Sequence, residues 1–269
     1  MPRGEREHCP SGKREHWPSG KRKHWPVASA SVGPDTMSAV RTYTDQTASA
    51  GTSMEEIITG ALTASQPVPN LRWLDIGCGR GDLLRKIRDT WQPAELHGID
   101  PIDWLDDDLK DDVDFHAVAA EQADHLPVAD RVLLVEVIEH LEAPWSALRH
   151  AARLVAPGGR LVVSTPNLAT LRHRLELSLR GRLTSFRPDN QPHLSPALPH
   201  VTERILAEED LILEPPSFAG VDVISLTGGR VWPASLQRRY PALTSVSVIV
   251  SAQRAGSEAG QRPALDCPQ

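Results

Sequence analysis

Apolar and polar positions alternate between two periods along most of this chain. Leu71–Ile76 is an apolar run that carries an acid near its end, and Leu83, Leu84, Ile87 and Trp91 after it share one helical face. Glu95–Asp100 is a second run ending in an acid, and Val113–Phe115 is a weak third. Val132–Val135 is continuously apolar, as a strand buried on both faces requires. Pro144 opens a helix in which Trp145, Leu148, Ala152 and Val155 share a face, Pro157-Gly158-Gly159 closes it, and Leu161–Ser164 reads as a fifth strand. Further on, Val201–Asp210 is helical, Leu211–Leu213 begins a sixth strand, and Thr244–Ala252 alternates like a last one. Strands and helices in alternation predict an α/β domain around a mostly parallel sheet.

The first strand leads into Gly77-Cys78-Gly79-Arg80-Gly81, with Asp75 two residues before the first glycine. A tight strand-to-helix turn needs glycine where the backbone must approach a ligand closely. The helix that follows offers unpaired N–H groups to an anion. The spacing departs from the dinucleotide pattern G-x-G-x-x-G, because the third glycine comes one residue early, and this argues against a dehydrogenase. Asp75-x-Gly77-x-Gly79-x-Gly81 instead resembles the first motif of class I S-adenosylmethionine (SAM)-dependent methyltransferases. Val132–Val135, then Glu136-Val-Ile-Glu139-His140-Leu141, a helix, Pro-Gly-Gly and a strand ending in Thr165-Pro166-Asn167 form a second, independent resemblance to that family. Together the two cover about Leu71 to Asn167.

The resemblance implies a Rossmann-like, seven-stranded, mostly parallel sheet with an antiparallel last strand and helices on both faces. It implies that Asp75, Gly77, Cys78, Gly79 and Gly81 hold the amino-acid end of the cofactor. Asp100 follows the glycines at the distance at which an acid takes ribose hydroxyls, with Pro101, Ile102 and Trp104 beside it to face adenine. The family's adenine-contacting acid has no plain counterpart here, and the corresponding place falls at Glu121 and Gln122. Asp103–Asp112 is too short and acidic for a full crossover helix.

Composition narrows the partners. The chain has 269 residues, is 40% hydrophobic and carries a formal net charge of −6, which disfavours nucleic acid as a partner. No stretch reaches the ~18 apolar residues of a membrane span. Three scattered cysteines make no disulfide framework, so a reducing cytoplasm is the expectation. Arg6–Lys13 is repeated as Arg14–Lys21 and in part as Arg22–Pro26, a charged, Pro- and Gly-rich octapeptide. Residues 1–50 read as a disordered tail and linker, with Met37 a candidate natural start, 51–254 as the methyltransferase domain and 255–269 as a second disordered tail. Met54–Leu62 reads as a short helix beside the sheet edge or over the cofactor.

Ligands of open α/β sheets sit at the carboxyl ends of the strands. Glu136, Glu139 and His140 follow the fourth strand at i, i+3 and i+4, and on a helix they would share a face. Glu136 is placed near the cofactor. His140, with Glu139, is the candidate catalytic pair, since an imidazole of pKa near ~6.5 suits proton removal from a hydroxyl. The Glu-x-x-Glu-His pattern resembles a metal-binding cluster of small-RNA 2′-O-methyltransferases and ubiquinone-pathway O-methyltransferases, in which Mg²⁺ or Mn²⁺ would suit, with His193 or His200 completing the set. The favoured reading assigns no metal ligand, because Glu-His-Leu here is widespread in methyltransferases that use none. Leu168, Leu171, Leu175 and Leu179 form a helical stripe ringed by Arg172, Arg174, Arg180 and Arg182, read as a solvated face rather than as a basic lid for an anionic substrate. The expected activity is methyl transfer, at oxygen, to a small-molecule or glycan- or lipid-linked acceptor. RNA 2′-O-methylation and a SAM-binding module without turnover are the alternatives.

Overall fold

A computed structural model describes residues 54–123, 126–186, 193–224 and 230–256. The octapeptide repeats, the linker, Arg187–Gln191 with Pro192 of the proline-rich loop, and the tail from residue 257 lie outside the described residues. Helix α1 (Met54–Ser65) precedes β1 (Arg72–Ile76), α2 (Asp82–Trp91), β2 (Glu95–Asp100), β3 (Asp114–Ala117), β4 (Ala129–Val135), α3 (Pro144–Arg153) and β5 (Val155–Pro166). Then come α4 (Leu171–Arg180), α5 (Pro199–Glu208), β6 (Leu211–Leu213), β7 (Ser217–Ala219), β8 (Val223–Ile224), β9 (Arg230–Val231), α6 (Ala234–Arg239), α7 (Pro241–Thr244) and β10 (Ser247–Arg254).

The main sheet runs β3-β2-β1-β4-β5-β10-β6. Strands β1 to β5 pair in parallel, and β10 lies antiparallel to both β5 and β6. Strand β7 continues β6 along the same edge of β10, pairing Phe218 with Val248 where β6 pairs Ile212 with Gln253. Pro215 and Pro216 lie between them, and their missing N–H groups interrupt the ladder. The expected seven-stranded topology is thus present, with its outer strand split in two.

Alternating side chains send adjacent residues to opposite faces of the sheet. Leu74, Leu134 and Val163 pack with Ala147, Leu148 and Ala151 of α3 and Leu206 of α5. Trp73, Leu133 and Val162 pack with Ile57, Ile58 and Leu62 of α1 and Leu84 and Ile87 of α2. Each such buried side chain contributes about 1.5–3 kcal/mol. Helix α1 therefore lies on a sheet face rather than beside its edge, and Gly60 lets it close: a Cβ there would come 2.8 Å from Ile249 Cδ1. Between β2 and β3 the acidic segment forms only a 3-10 turn, Asp107–Leu109, as its length requires.

Two local expectations are corrected, and two further segments take their shape from the structure. Val155 belongs to β5, since α3 ends at Arg153, and Gly158 takes its positive φ inside the start of that strand. Thr244 ends α7, so the last strand begins at Ser247. The region Arg230–Pro241 contributes one side of a hairpin, β8–β9, and then helical turns. Helix α4 buries only His173, while Leu171, Leu175, Leu177 and Leu179 are exposed. His173 pins the helix by bonding the Asn167 carbonyl through Nδ1 and Ser185 Oγ through Nε2, which leaves the leucine stripe off the sheet.

Candidate functional site

The glycine turn is fastened to the end of β2. Gly77 N and Cys78 N both donate to the Ile99 carbonyl, at 2.7 and 2.9 Å, and Gly81 N donates to the Cys78 carbonyl. Gly77, Gly79 and Gly81 have φ of +79°, +52° and +89°, the left-handed region that glycine adopts without strain. Their surroundings differ. A Cβ on Gly77 would meet Val137, and one on Gly81 would meet Leu109 and Leu105. A Cβ on Gly79 would meet nothing within 4 Å, so this is where the turn's backbone faces open space. The Cys78 thiol is buried and pushed far up by burial, which makes it a packing residue.

Two carboxylates flank the turn. Asp75 is 3% exposed, takes no hydrogen bond from a described residue, and has its pKa pushed up to about 8 by burial and then by the charge of Asp100. Asp100 accepts from Gly79 N at 3.2 Å through Oδ2 and from Ile102 N at 3.1 Å through Oδ1. Burial raises its pKa, and the two backbone donors oppose the rise. Each oxygen keeps a further lone pair for a ligand hydroxyl. Pro101 is exposed and Ile102 half-buried just beyond it. Asp100 pairs with Ala117, so β3 ends beside it and delivers Glu121 (half-buried) and Gln122 (exposed) on the turn Ala120–Gln122 at the same edge.

The segment after β4 closes the other side of the site, with Val137 against Gly77. It does not run helically from Glu136 as the spacing suggested. Glu136 has φ +55°, which breaks a helix there, and a 3-10 turn covers Ile138–His140. The break assigns different jobs to the two glutamates. Glu136 Oε1 accepts from Ser164 Oγ at 2.7 Å and Ser247 Oγ at 2.9 Å, tying β4 to β5 and β10. Glu139 is fully buried, and neither of its carboxylate oxygens has a hydrogen-bond partner of normal geometry. Burial, and then the neighbouring Glu136 charge, raise its pKa well above the usual carboxylate range. Burial likewise raises that of Glu136.

The backbone carbonyl of Glu139 accepts from Leu194 N and Ser195 N, which brings the chain after the proline-rich loop over the turn. This contact seats His193 with its ring centroid 4.7 Å from that of His140, edge to face, and 5.4 Å from Phe186. His140 Nε2 lies 3.9 Å from Glu139 Oε1. One donor atom each from Glu139, His140 and His193 lies within 4.8 Å of the others. His200, the other imidazole considered, is exposed on α5 and outside this group. Burial lowers the pKa of His193, favouring the neutral ring. An open cleft of about 340 Å³, lined by Glu142, Pro144, Trp145, Leu194, Ser195 and Pro196, flanks the cluster.

The structure thus brings Asp75, the glycine turn and Asp100 together, and sets Val137, from the segment that carries Glu136, Glu139 and His140, against Gly77. Sequence reasoning missed Ser164 and Ser247 as the anchors of Glu136. They lie 28 and 111 residues away from it, and only the pairing of β5 with β10 brings them to one place.

Comparison with known proteins agrees with this arrangement. Residues 50–207 match a family model described as a methyltransferase domain. The ubiquinone biosynthesis O-methyltransferase of Rhizobium rhizogenes is 32% identical over 203 residues, covering 72% of this chain and 77% of that one. The enzyme of the same name from Rhizobium leguminosarum is 30% identical over 199 residues, covering 71% and 75%. A solved SAM-dependent methyltransferase from Archaeoglobus fulgidus shares the fold, with a TM-score of 0.53 at 17% identity over 75% of this chain and 95% of that one. With two motifs, one sheet order and a family match over more than half its length, the chain belongs to the class I SAM-dependent methyltransferases.

Proposed function

We propose that the chain methylates a hydroxyl oxygen of a small-molecule acceptor, with His140 as the base that takes the hydroxyl proton. The observation that carries this reading is the convergence of His140, His193 and Glu139 past β4, on the segment whose Val137 packs against Gly77. The O-methyltransferase names of the similar Rhizobium proteins support oxygen as the target. A glycan- or lipid-linked hydroxyl has the same chemistry and belongs in the same acceptor screen. Among the described residues no helix is long and apolar enough to cross a membrane.

The residues present fit the cofactor. Asp75 offers a buried carboxylate without a partner to an ammonium group, Gly79 offers open backbone, and Asp100 offers spare lone pairs to a ribose. Pro101, Ile102, Glu121 and Gln122 are the adenine side of this assignment. When bound, SAM supplies the methyl group as an electrophilic sulfonium carbon. The chain's own work is to hold the acceptor oxygen in line and remove its proton. Holding reactants in this way is worth an effective molarity of about 10⁵–10⁸ M. In this reading His140 meets the acceptor hydroxyl, with the His193 ring packed edge to face against it and Glu139 Oε1 3.9 Å from its Nε2.

A second reading adds a divalent cation, and one observation favours it: the buried Glu139 oxygens without partners, beside two imidazoles. Glu139, His140 and His193 would hold Mg²⁺ or Mn²⁺, which would lower the pKa of a bound hydroxyl. Glu136, occupied by two serines, stands outside that set.

Titration of the full-length chain with S-adenosylhomocysteine tests the cofactor site, followed by turnover on hydroxylated acceptors with and without Mn²⁺. Binding lost in Asp75→Asn and Asp100→Ala, and turnover on a phenol or alcohol lost in His140→Gln, support the reading. Binding of the product with no turnover on any hydroxyl acceptor would leave a cofactor-binding module and overturn the catalytic proposal.

A further inference from the structure

A second group of donor atoms lies away from this site, on the outer strands of the sheet. Strands β2 and β3 pair His97 with Asp114 and Ile99 with His116, so Glu95, His97, Asp114 and His116 share one face. His97 is 8% exposed. Its Nε2 lies 3.3 Å from Glu95 Oε2, within hydrogen-bonding geometry. Its Nδ1 lies 3.3 Å from Asp114 Oδ2, and His116 Nε2 lies 3.5 Å from the same oxygen. The two rings stack with centroids 5.8 Å apart. Neither His97 Nδ1 nor His116 Nε2, both shielded from solvent, has a hydrogen-bond partner.

The tautomer follows from the one good contact. An Nε2–H donated to Glu95 leaves Nδ1 with a lone pair, and that lone pair faces a carboxylate oxygen. In its Nδ1–H tautomer His116 turns the Nε2 lone pair to the same oxygen, and one ligand atom from each residue lies within 4.8 Å of the others. Three lone pairs turned on one point repel unless a proton or a metal cation sits between them. In a four-coordinate ion with bonds of about 2.0–2.1 Å, neighbouring ligand atoms are about 3.3–3.4 Å apart. The 3.3 and 3.5 Å spacings around Asp114 Oδ2 match that edge. Metal-bound histidines commonly donate their other N–H to a carboxylate, the position Glu95 holds.

We propose that His97, Asp114 and His116 bind a zinc-class divalent ion, with Glu95 orienting His97 and a fourth position open to solvent. Two imidazoles and a carboxylate suit Zn²⁺ better than a hard ion such as Mg²⁺. The ion clips the four-residue edge strand β3 to β2. Because Asp100 and Ala117 end these same strands, the clip also steadies the edge where the cofactor reading places ribose and adenine. In the order of the sheet, β1 separates these strands from β4, so the site is separate from Glu139, His140 and His193.

The test is Zn²⁺ titration of the metal-stripped full-length chain against a competing chelator, with Co²⁺ absorption as a second readout. The amino-terminal repeats and the His140 cluster carry donors of their own, so the signal is the difference between variants. His116→Gln and Asp114→Asn, each confirmed folded by circular dichroism, are expected to lose one tightly bound ion per chain and the visible bands of four-coordinate Co²⁺. Glu95→Gln is expected to retain the ion about 10–100-fold more weakly. His193→Ala leaves this site's ion in place. Unchanged stoichiometry and affinity in both His116→Gln and Asp114→Asn, or no zinc bound by the parent chain, would show that a proton alone bridges these groups and would overturn the proposal.

Discussion

The three glycines of the turn make a graded prediction, because the same added methyl group meets three different surroundings. Alanine at a left-handed position costs about 1–2 kcal/mol, and the stiffer unfolded chain returns about 0.4–1 kcal/mol. At Gly79 nothing lies within 4 Å of the new methyl, so the net loss should stay near ~1 kcal/mol. At Gly77 the methyl would lie 2.6 Å from Val137 Cγ2, and at Gly81 it would run into Leu109 and Leu105. Overpacking adds about 1–3 kcal/mol at each, for a total near 2–4 kcal/mol. At about 2–4 °C per kcal/mol for a domain of this size, Gly79→Ala should melt within a few degrees of the parent and the other two well below it. Affinity should run the other way for the fold-neutral variant. If the open space beside Gly79 receives the cofactor's amino-acid end, its methyl should cost at least ~1.4 kcal/mol, or tenfold, in S-adenosylhomocysteine affinity. Scanning fluorimetry and calorimetry on the three variants measure both quantities. Gly79→Ala binding as tightly as the parent would refute the placement, and melting as low as Gly77→Ala would refute the steric ranking.

Other outcomes follow from the buried acids and the imidazoles. Asp75, protonated below about pH 8 in the free chain, should release a proton when an ammonium group docks. Binding heat at pH 7 should then depend on the buffer's ionisation enthalpy in the parent and not in Asp75→Asn. Because Asp75, Glu136 and Glu139 all have folded pKa values raised above their unfolded ones, their contribution is whole below about pH 4 and is lost as pH rises through the folded values. The free chain should therefore melt lower at pH 8 than at pH 6, and Glu139→Gln should flatten that slope; a slope unchanged in this variant would remove Glu139 from the account. His140→Gln should lower kcat about 10²–10⁴-fold with product affinity retained, and equal turnover would show that another group takes the proton.

The parts of the fold legible in the sequence are those in which local pattern and burial agree. Val132–Val135 reads as a buried strand because both faces of β4 are covered, and it is one. Asp103–Asp112 was too short for a helix, and it forms a turn. The solvated face expected for α4 extends to its leucines for a specific reason. Periodicity reports that a helix has an apolar face, but not that the face meets the core, and here buried His173 and the Arg172–Asp222 ion pair hold the helix down. The split of the outer strand at Pro215 and Pro216 was open to sequence reasoning, since neither can donate to a ladder.

The site shows the same division at finer scale. Asp75, the glycines and Asp100 are spaced along 26 residues of one βαβ unit, so their order in sequence is their order in space. Glu136, Glu139 and His140 were legible as a group, but the geometry inferred for them was not the one observed. A helix from Glu136 would have set both glutamates on one face toward one ligand. The left-handed turn at Glu136, closed by Ser164 and Ser247, instead spends that carboxylate on joining three strands. Glu139 is left buried without a hydrogen bond of normal geometry, close to Thr165 and to the Glu136 carboxylate, and a carboxylate in that state calls for a proton or a cation. The proposed histidine base is therefore compatible with either a protonated Glu139 or a bound cation beside it. The choice between the two rests on what neutralises Glu139, so Mn²⁺ stimulation of turnover should vanish in Glu139→Gln while Glu136→Gln weakens the fold first.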